Sequence, residues 1–311
     1  MLSFVRRFIY LIRNLERISS PNFFKSEIQN AFAEVFTDTK NIQDILQFKK
    51  HFPKHWERSL IIYDVGMHSG QDTDFYLKKG FKVVAVEANP KLCDEGKKKF
   101  ADDIKTGRLT IVNKGISKSS SKAIFYVNEA KSVWSSFEKN TAGRKGHALK
   151  EVEVECCTLA DVIKEHGSPY YIKIDIEGHD EIALQSLIEN NICPPYISVE
   201  NGTRMLDLLK DCYLDFKFIQ QNNVHKIKPS FPALEGKFTD HQFELGSSGP
   251  FGEETVGSWK KYEEVYYDIS KVWNITSGEK NPLWNDSVDG WFDLHARSKD
   301  FKNDINNLLK N

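Results

Sequence analysis

The sequence predicts an α/β fold built on a parallel sheet, and three observations carry that prediction. From residue 59 onward, short β-branched runs alternate with longer segments of helical periodicity. The runs are apolar almost throughout rather than at every second position. The first of them, SLIIYDV, passes directly into the glycine-punctuated turn of YDVGMHSGQD. Alternating strand and helix is the pattern of a sheet with helices on both faces, and strands buried on both faces read as near-continuous hydrophobic runs.

Taken in order, residues 1–55 read as helices: MLSFVRRFIYLIRNLERIS, SEIQNAFAEVF and IQDILQFKKHF, punctuated by Pro53. In the first, Phe4, Phe8, Leu11, Ile12, Leu15 and Ile18 recur at helical spacing, with Arg6, Arg13 and Arg17 mostly opposite. The arginines break the apolar run, so it does not span a bilayer. It also lacks the long apolar stretch and small-residue cleavage site of a secretory signal. Two readings remain for residues 1–20: a helix packed on its own domain or on a second copy in a homodimer, or a basic amphipathic helix at a membrane surface.

A core over 56–222 follows. Strands are expected at 59–65, 82–88, 109–113, 170–176, 196–200 and 216–221, with helices near 71–79, 90–100, 180–190 and 203–211. Between 114 and 157 the alternation breaks, and KAIFYVN and VEVECC read as two extra strands around a polar loop. After 222 the pattern weakens into a Gly- and Ser-rich loop, LGSSGPFGEETVGS, an aromatic-rich helix, WKKYEEVYYDISKVW, then WFDLHARSKDF and a polar C-terminal helix. This extension, 223–311, is expected to complete or cover the core rather than to form a domain of its own.

With 311 residues, 40% hydrophobic and 28% charged, the chain suits one sizeable domain with trimmings, or two small domains. A net charge of -1 and the lack of a basic patch argue against nucleic acid as a partner. Five cysteines without a CxxC pattern suggest neither a zinc site nor a disulfide framework, and point to a reducing, cytoplasmic compartment. Adjacent Cys156 and Cys157 are expected on opposite faces of a strand.

In an open parallel sheet, ligands bind beyond the carboxyl ends of the strands. The residues there are Asp64, Gly66, Met67, His68, Gly70 and Asp72 after the first strand, then Glu87, Ala88, Asn89 and Pro90 after the second. Asp175, Glu177, Gly178, His179 and Asp180 follow the strand at 170–175, and Glu200 and Asn201 the next. The first two loops are rich in carboxylates and hold no lysine or arginine. Gly66 and Gly70 are spaced G-x-x-x-G, unlike a dinucleotide cradle or a P-loop. Carboxylates repel a diphosphate and attract a cation. Glu87 is placed to accept hydrogen bonds from ribose hydroxyls, as the acid about twenty residues on does in dinucleotide folds. The expected ligand is a positively charged nucleoside without phosphate, a description that S-adenosylmethionine fits.

The stretch YDVGMHSGQDTDFYLKKGFKVVAVEANP, followed by TLADVI and YYIKIDIEGHDEIALQSL, resembles the FkbM family of class I S-adenosylmethionine-dependent methyltransferases over roughly residues 60–203. KIDIEGHDE is the most specific part, and GPFGEET…W and WFDLHA resemble a subgroup. The resemblance implies a Rossmann-like seven-stranded methyltransferase sheet, and O-methylation of a hydroxyl on a sugar, glycan or small molecule. Where a common family pattern reads D-x-G-A-N-x-G, this chain has Met67 and His68, so His68 replaces the Asn as a donor. The family pattern also suggests Ser135 and Ser136 of VWSSF for the adenosine side, against a plain surface turn.

Catalysis is expected from Asp175, Glu177 and His179. Two close acids raise each other's pKa, so one can serve as general base. A divalent cation bound there is an alternative, though none is predicted. Against these stand helix capping for the acids and a solvent-facing first-turn position for His179. Glu200 reads as a substrate contact or a buried, hydrogen-bonded acid, and His295 as structural. Two other classes stay open: a nicotinamide-dependent oxidoreductase, and a non-catalytic nucleoside-binding scaffold.

Overall fold

The computed structural model describes residues 43–200, 202–272 and 291–310. The first two expected N-terminal helices, and with them residues 1–20, lie outside the described residues. The third is helical at 43–49 (α1). It leads to β1 (Ile61–Val65), α2 (Gln71–Lys78), β2 (Lys82–Val86), α3 (Pro90–Lys99) and β3 (Leu109–Val112). Three further strands follow: β4 (Gly115–Ile116), β5 (Ser121–Asn128) and β6 (Leu149–Cys157). The chain then returns to alternation through α4 (Leu159–His166), β7 (Pro169–Ile174), α5 (Asp180–Glu189), β8 (Tyr196–Glu200), α6 (Gly202–Leu209) and β9 (Tyr213–Gln220). It closes with α7 (Tyr262–Val272), β10 (Phe292–Ser298) and α8 (Phe301–Leu308).

Local chemistry starts several of these helices. Asn89 accepts from the Lys91 N–H ahead of α3, with Pro90 at its first position. Thr158 accepts from the Asp161 N–H to cap α4.

The main sheet has seven strands in the order β3-β2-β1-β7-β8-β10-β9. All neighbours are parallel except β10, which runs antiparallel to both β8 and β9. From β1 the chain winds one way to β2 and β3, then crosses over to β7 and β8. The winding therefore reverses between β1 and β7, and a crevice opens beyond their carboxyl ends. β7 is buried along its whole length, as its apolar run predicts. Alternation on β1 sends Ile62 into the apolar cluster on one face and Tyr63 and Val65 into the cluster on the other.

The segment that breaks the alternation forms a second sheet, β4-β6-β5, standing beside the cleft. Cys156 and Cys157 enter different apolar clusters, as their adjacency on a strand requires.

The extension contributes a strand to the sheet, and one expectation is corrected. WFDLHARSKDF supplies β10, a strand inserted between β8 and β9, so the extension is woven into the sheet. Its polar residues hid the strand: Asp293, His295 and Arg297 interrupt the apolar run, and Asp293 and Arg297 find their partners, Gln221 and Asp215, only in the folded chain. The correction is that Cys193 and Cys212 are disulfide-bonded, with Cα atoms 5.9 Å apart, while Cys93, Cys156 and Cys157 are buried thiols. The turns before β8 and β9 bring the two sulfurs together, which sequence spacing does not reveal. The cysteines therefore carry no argument for a reducing or cytoplasmic compartment. Among the described residues no helix is long and apolar enough to cross a membrane.

The extension also straps α2. Ser248 N donates to both Asp72 carboxylate oxygens, and buried Lys79 pairs with buried Glu254 at 2.7 Å. Phe243 and Phe251 pack edge-on against Phe75 and Tyr76.

Candidate active site

At the winding reversal the loops after β1, β2 and β7 meet. Gly66 N and Met67 N both donate to Val86 O, and Asp175 N donates to Val65 O. Gly66 has φ +91°, and a Cβ there would lie 1.9 Å from the Asp175 carbonyl oxygen, so only glycine lets these loops touch. The loops wall a cavity of about 940 Å³, which the β4-β6-β5 insert closes on the far side.

Asp64 is buried beneath the cavity rather than on its wall. It accepts from Thr73 Oγ1 at 2.6 Å and faces Lys173 Nζ at 3.4 Å. Lys173, on β7, also lies 3.8 Å from Asp72 and 3.7 Å from Asp175, and donates to Gly66 O at 3.0 Å. Burial opposes its charge, but Asp64, Asp175, Asp72 and Asp293 outweigh it and hold its pKa well above that of a free lysine. Burial pushes the Asp72 carboxyl up, with Lys173 opposing and Asp64 adding. The pKa values of Asp293 and Glu200 are likewise raised by burial and by neighbouring carboxylates. One buried cation thus sits among more acids than it can neutralise.

Glu87 lines the cavity with both oxygens braced by main chain. His68 N donates to Oε2 and Asn89 N to Oε1, each at 2.8 Å. Each carboxylate oxygen keeps acceptor capacity beyond its one main-chain donor. His68, at φ +50°, reaches across to Ser132 Oγ at 2.9 Å, joining the first loop to the insert. Burial and Lys173 lower its pKa, so its ring is neutral.

Not every expected residue touches the cavity. Gly66, Met67, His68, Asp72, Glu87, Ala88, Asp175, Glu177 and His179 do. Gly70 instead turns the chain into α2 at φ +72°, against Phe100. Asn89 is spent on capping α3. Ser136 is off the cavity wall: its hydroxyl donates to Glu177 O at 2.6 Å and braces that loop, while Ser135 lies on the wall. Met67 buries its side chain in the core, and its terminal methyl would meet a Cβ at Gly96.

Among the three expected catalytic groups, Glu177 occupies left-handed backbone at φ +49° and takes an ion pair from Arg144 at 2.9 Å. Burial, with Asp175 and Asp180 adding and Arg144 opposing, pushes its pKa up to about 7. No side chain caps α5; Asp180, its first residue, instead accepts from Ile176 N and Gly178 N and so braces the loop before the helix. His179 Nδ1 lies 2.8 Å from Ile116 O, so it carries the proton, and the ring stacks on Phe137. His295 is buried within β10, where burial and Lys217 lower its pKa to about 3, consistent with a structural place.

Sequence reading missed Lys173, Asp293 and the insert residues Lys131, Trp134, Arg144 and Lys145. A lone lysine in the apolar run YYIKIDI was the available signal for the first. The insert residues had none, because only folding carries them to the cleft, and Asp293 is buried off the cavity wall beside Gln221.

A seven-stranded sheet with one antiparallel strand and an acid-rich cleft at its winding reversal defines the class, a Rossmann-like class I methyltransferase. Residues 64–245, more than half the chain, match the model of the methyltransferase FkbM domain. The chain belongs to the FkbM methyltransferase family. Among solved structures it is similar to an S-adenosylmethionine-dependent O-methyltransferase from Thermotoga maritima, with 9% identity, 93% of this chain and 71% of that chain covered, and TM-score 0.33. It is also similar to an O-methyltransferase from Bacillus cereus in complex with S-adenosylhomocysteine, with 11% identity, 83% and 91% covered, and TM-score 0.30. No match was found among curated proteins.

Proposed function

We propose that this methyltransferase takes a methyl group from S-adenosylmethionine and places it on a hydroxyl oxygen of a sugar, glycan or other small-molecule acceptor. One observation carries the cofactor reading: Glu87, braced by two main-chain N–H groups, shares a cavity with Asp72 and Asp175, and the turns that follow β1 and β2 hold neither a dinucleotide nor a P-loop pattern. The donor set suits the group. A braced carboxylate accepts ribose hydroxyls, and Asp72 and Asp175 face positive charge.

S-adenosylmethionine, when bound, supplies an electrophilic methyl group on a positively charged sulfur. The protein then has to position an oxygen and remove its proton. Alignment can account for roughly 7–11 kcal/mol of such a barrier. Glu177 is the base: it lies on the cavity wall with a pKa of about 7, so near neutrality it is both substantially ionised and basic enough to take a hydroxyl proton. Arg144, 2.9 Å away, keeps that pKa from rising further. Asp175 stands beside it at the cavity floor, oriented by Lys173. Neutral His68 ties the first loop to the insert over the cleft.

The test is ligand-dependent stability of the full chain. S-adenosylmethionine at about one hundred times its dissociation constant should stabilise by roughly 2.7 kcal/mol, and NAD not at all. Stabilisation by NAD instead would favour an oxidoreductase, and stabilisation by neither would remove the reading. Transfer of a labelled methyl group to an acceptor hydroxyl, identified in the product, then tests the O-methylation.

A further inference from the structure

The cavity is electrically two-sided. Its sheet-edge wall carries Asp72, Glu87, Asp175, Glu177 and Glu200 around the single cation Lys173, whereas the insert wall carries Lys114, Lys131, Arg144 and Lys145. Three of these cations gather round one indole. Lys131 Nζ lies 4.1 Å, Arg144 Cζ 4.4 Å and Lys145 Nζ 5.4 Å from the Trp134 ring, and His147 stacks on it at 5.3 Å. Elsewhere on the insert, Lys122 pairs with Glu153 and Lys139 with Glu151. Lys114, Lys131 and Lys145 have no carboxylate within ion-pair distance among the described residues. Arg144 has one, Glu177, while its Nε is shut from solvent without a hydrogen-bond partner.

Four like charges on one wall of a chain with net charge -1 repel one another, and an anion between them relieves that cost. A cofactor carrying positive charge has no use for this wall. Resting on the methyltransferase reading above, we infer that the insert wall is an oxyanion subsite for the acceptor, which carries a phosphate or carboxylate group beside the hydroxyl to be methylated. Arg144 links the two functions, because it bridges the basic cluster to Glu177. An acceptor anchored at Lys131 and Lys145 therefore presents its hydroxyl to the base. Trp134 holds the cations in place through their contacts with its ring.

The experiment uses the full chain and calorimetry at low salt. Titration with S-adenosylhomocysteine comes first. The loaded protein is then titrated separately with glucose 6-phosphate, glucuronate and glucose. Saturable binding of the phosphate or the carboxylate sugar, absent with glucose, is expected, and which of the two binds more tightly identifies the oxyanion. The exposed double variant Lys131→Ala/Lys145→Ala should weaken that binding at least tenfold and leave S-adenosylhomocysteine affinity within twofold. Raising the salt from 50 to 500 mM should weaken it in the wild type, as screening requires. Equal binding of glucose and its charged relatives, no anion binding to loaded protein, or an unaffected double variant would overturn the subsite while leaving the cofactor reading intact. Failure of S-adenosylhomocysteine to bind would overturn the methyltransferase reading itself, and the subsite with it.

Discussion

If Glu177 is the base, the rate of transfer must follow its ionisation. Its carboxyl is pushed up to about 7 by burial, with Asp175 and Asp180 adding to the rise and Arg144 restraining it. Only the ionised form accepts a proton, so kcat/KM should climb with pH, tenfold per unit below the pKa, and level off above it. Between pH 5.5 and 7.5 the ionised fraction, and with it kcat/KM, rises about 25-fold for a group of that pKa. Arg144→Met removes the restraining charge, so the rising limb should move to higher pH, while the kcat/KM plateau falls because Arg144 also lines the acceptor subsite. Glu177→Gln should remove the limb and lower the plateau roughly 10²–10⁴-fold. The same shift has a stability consequence of defined sign. Between its ordinary pKa of 4.5 and about 7 the folded chain binds more protons here than the unfolded chain. Stability from this group therefore falls as pH rises through that window. Glu177→Gln should gain on wild type in urea unfolding from pH 4.5 to 7, by an amount on the order of 2 kcal/mol. Labelled-methyl transfer across pH and parallel unfolding series measure both effects. A flat wild-type profile, or an unchanged limb in Glu177→Gln, would refute the assignment.

Three other perturbations test the frame around the base. Gly66→Ala forces a Cβ to within 1.9 Å of the Asp175 carbonyl at φ +91°, so the loops must part. Cofactor affinity measured by calorimetry should fall at least tenfold, and an unchanged affinity would contradict the placement. Lys173→Met leaves Asp64, Asp72 and Asp175 facing one another without their cation, at a cost of roughly 3–5 kcal/mol in urea unfolding. Part of that loss should be regained at pH 5, below the value of about 7 to which burial pushes the Asp72 carboxyl, and equal loss at pH 5 and 8 would count against the charge explanation. Glu254→Gln should cost a similar roughly 3–5 kcal/mol, because Lys79 is buried and bonded at 2.7 and 2.8 Å to both Glu254 oxygens. An unshifted unfolding midpoint would show that the strap over α2 does not depend on this pair.

Strand–helix alternation made β1, β2, β3, β7 and β8 readable, because parallel strands buried on both faces leave uninterrupted apolar runs. The loop acids were readable too, since in such a sheet the winding order alone decides which strand ends form the cleft. Local patterns could not show partners that are distant in sequence. β10 carries Asp293 and Arg297, whose polarity is tolerable only beside Gln221, Asp215 and Glu253 from other segments. Asn89 read as a ligand contact because of its position after β2, and Ser136 because of the family resemblance. Their hydrogen bonds instead cap α3 and brace Glu177, a choice that depends on backbone geometry.

By itself, the sequence determined the sheet, the acid-bearing turns and the family, since periodicity, glycine spacing and short motifs are local properties of the chain. Only the tertiary structure decided that Lys173 lies among three carboxylates, that Glu177 meets Arg144, and that a basic insert faces an acidic sheet edge. Charge interactions depend on distance and burial, and both are created when residues far apart in the chain fold against one cavity.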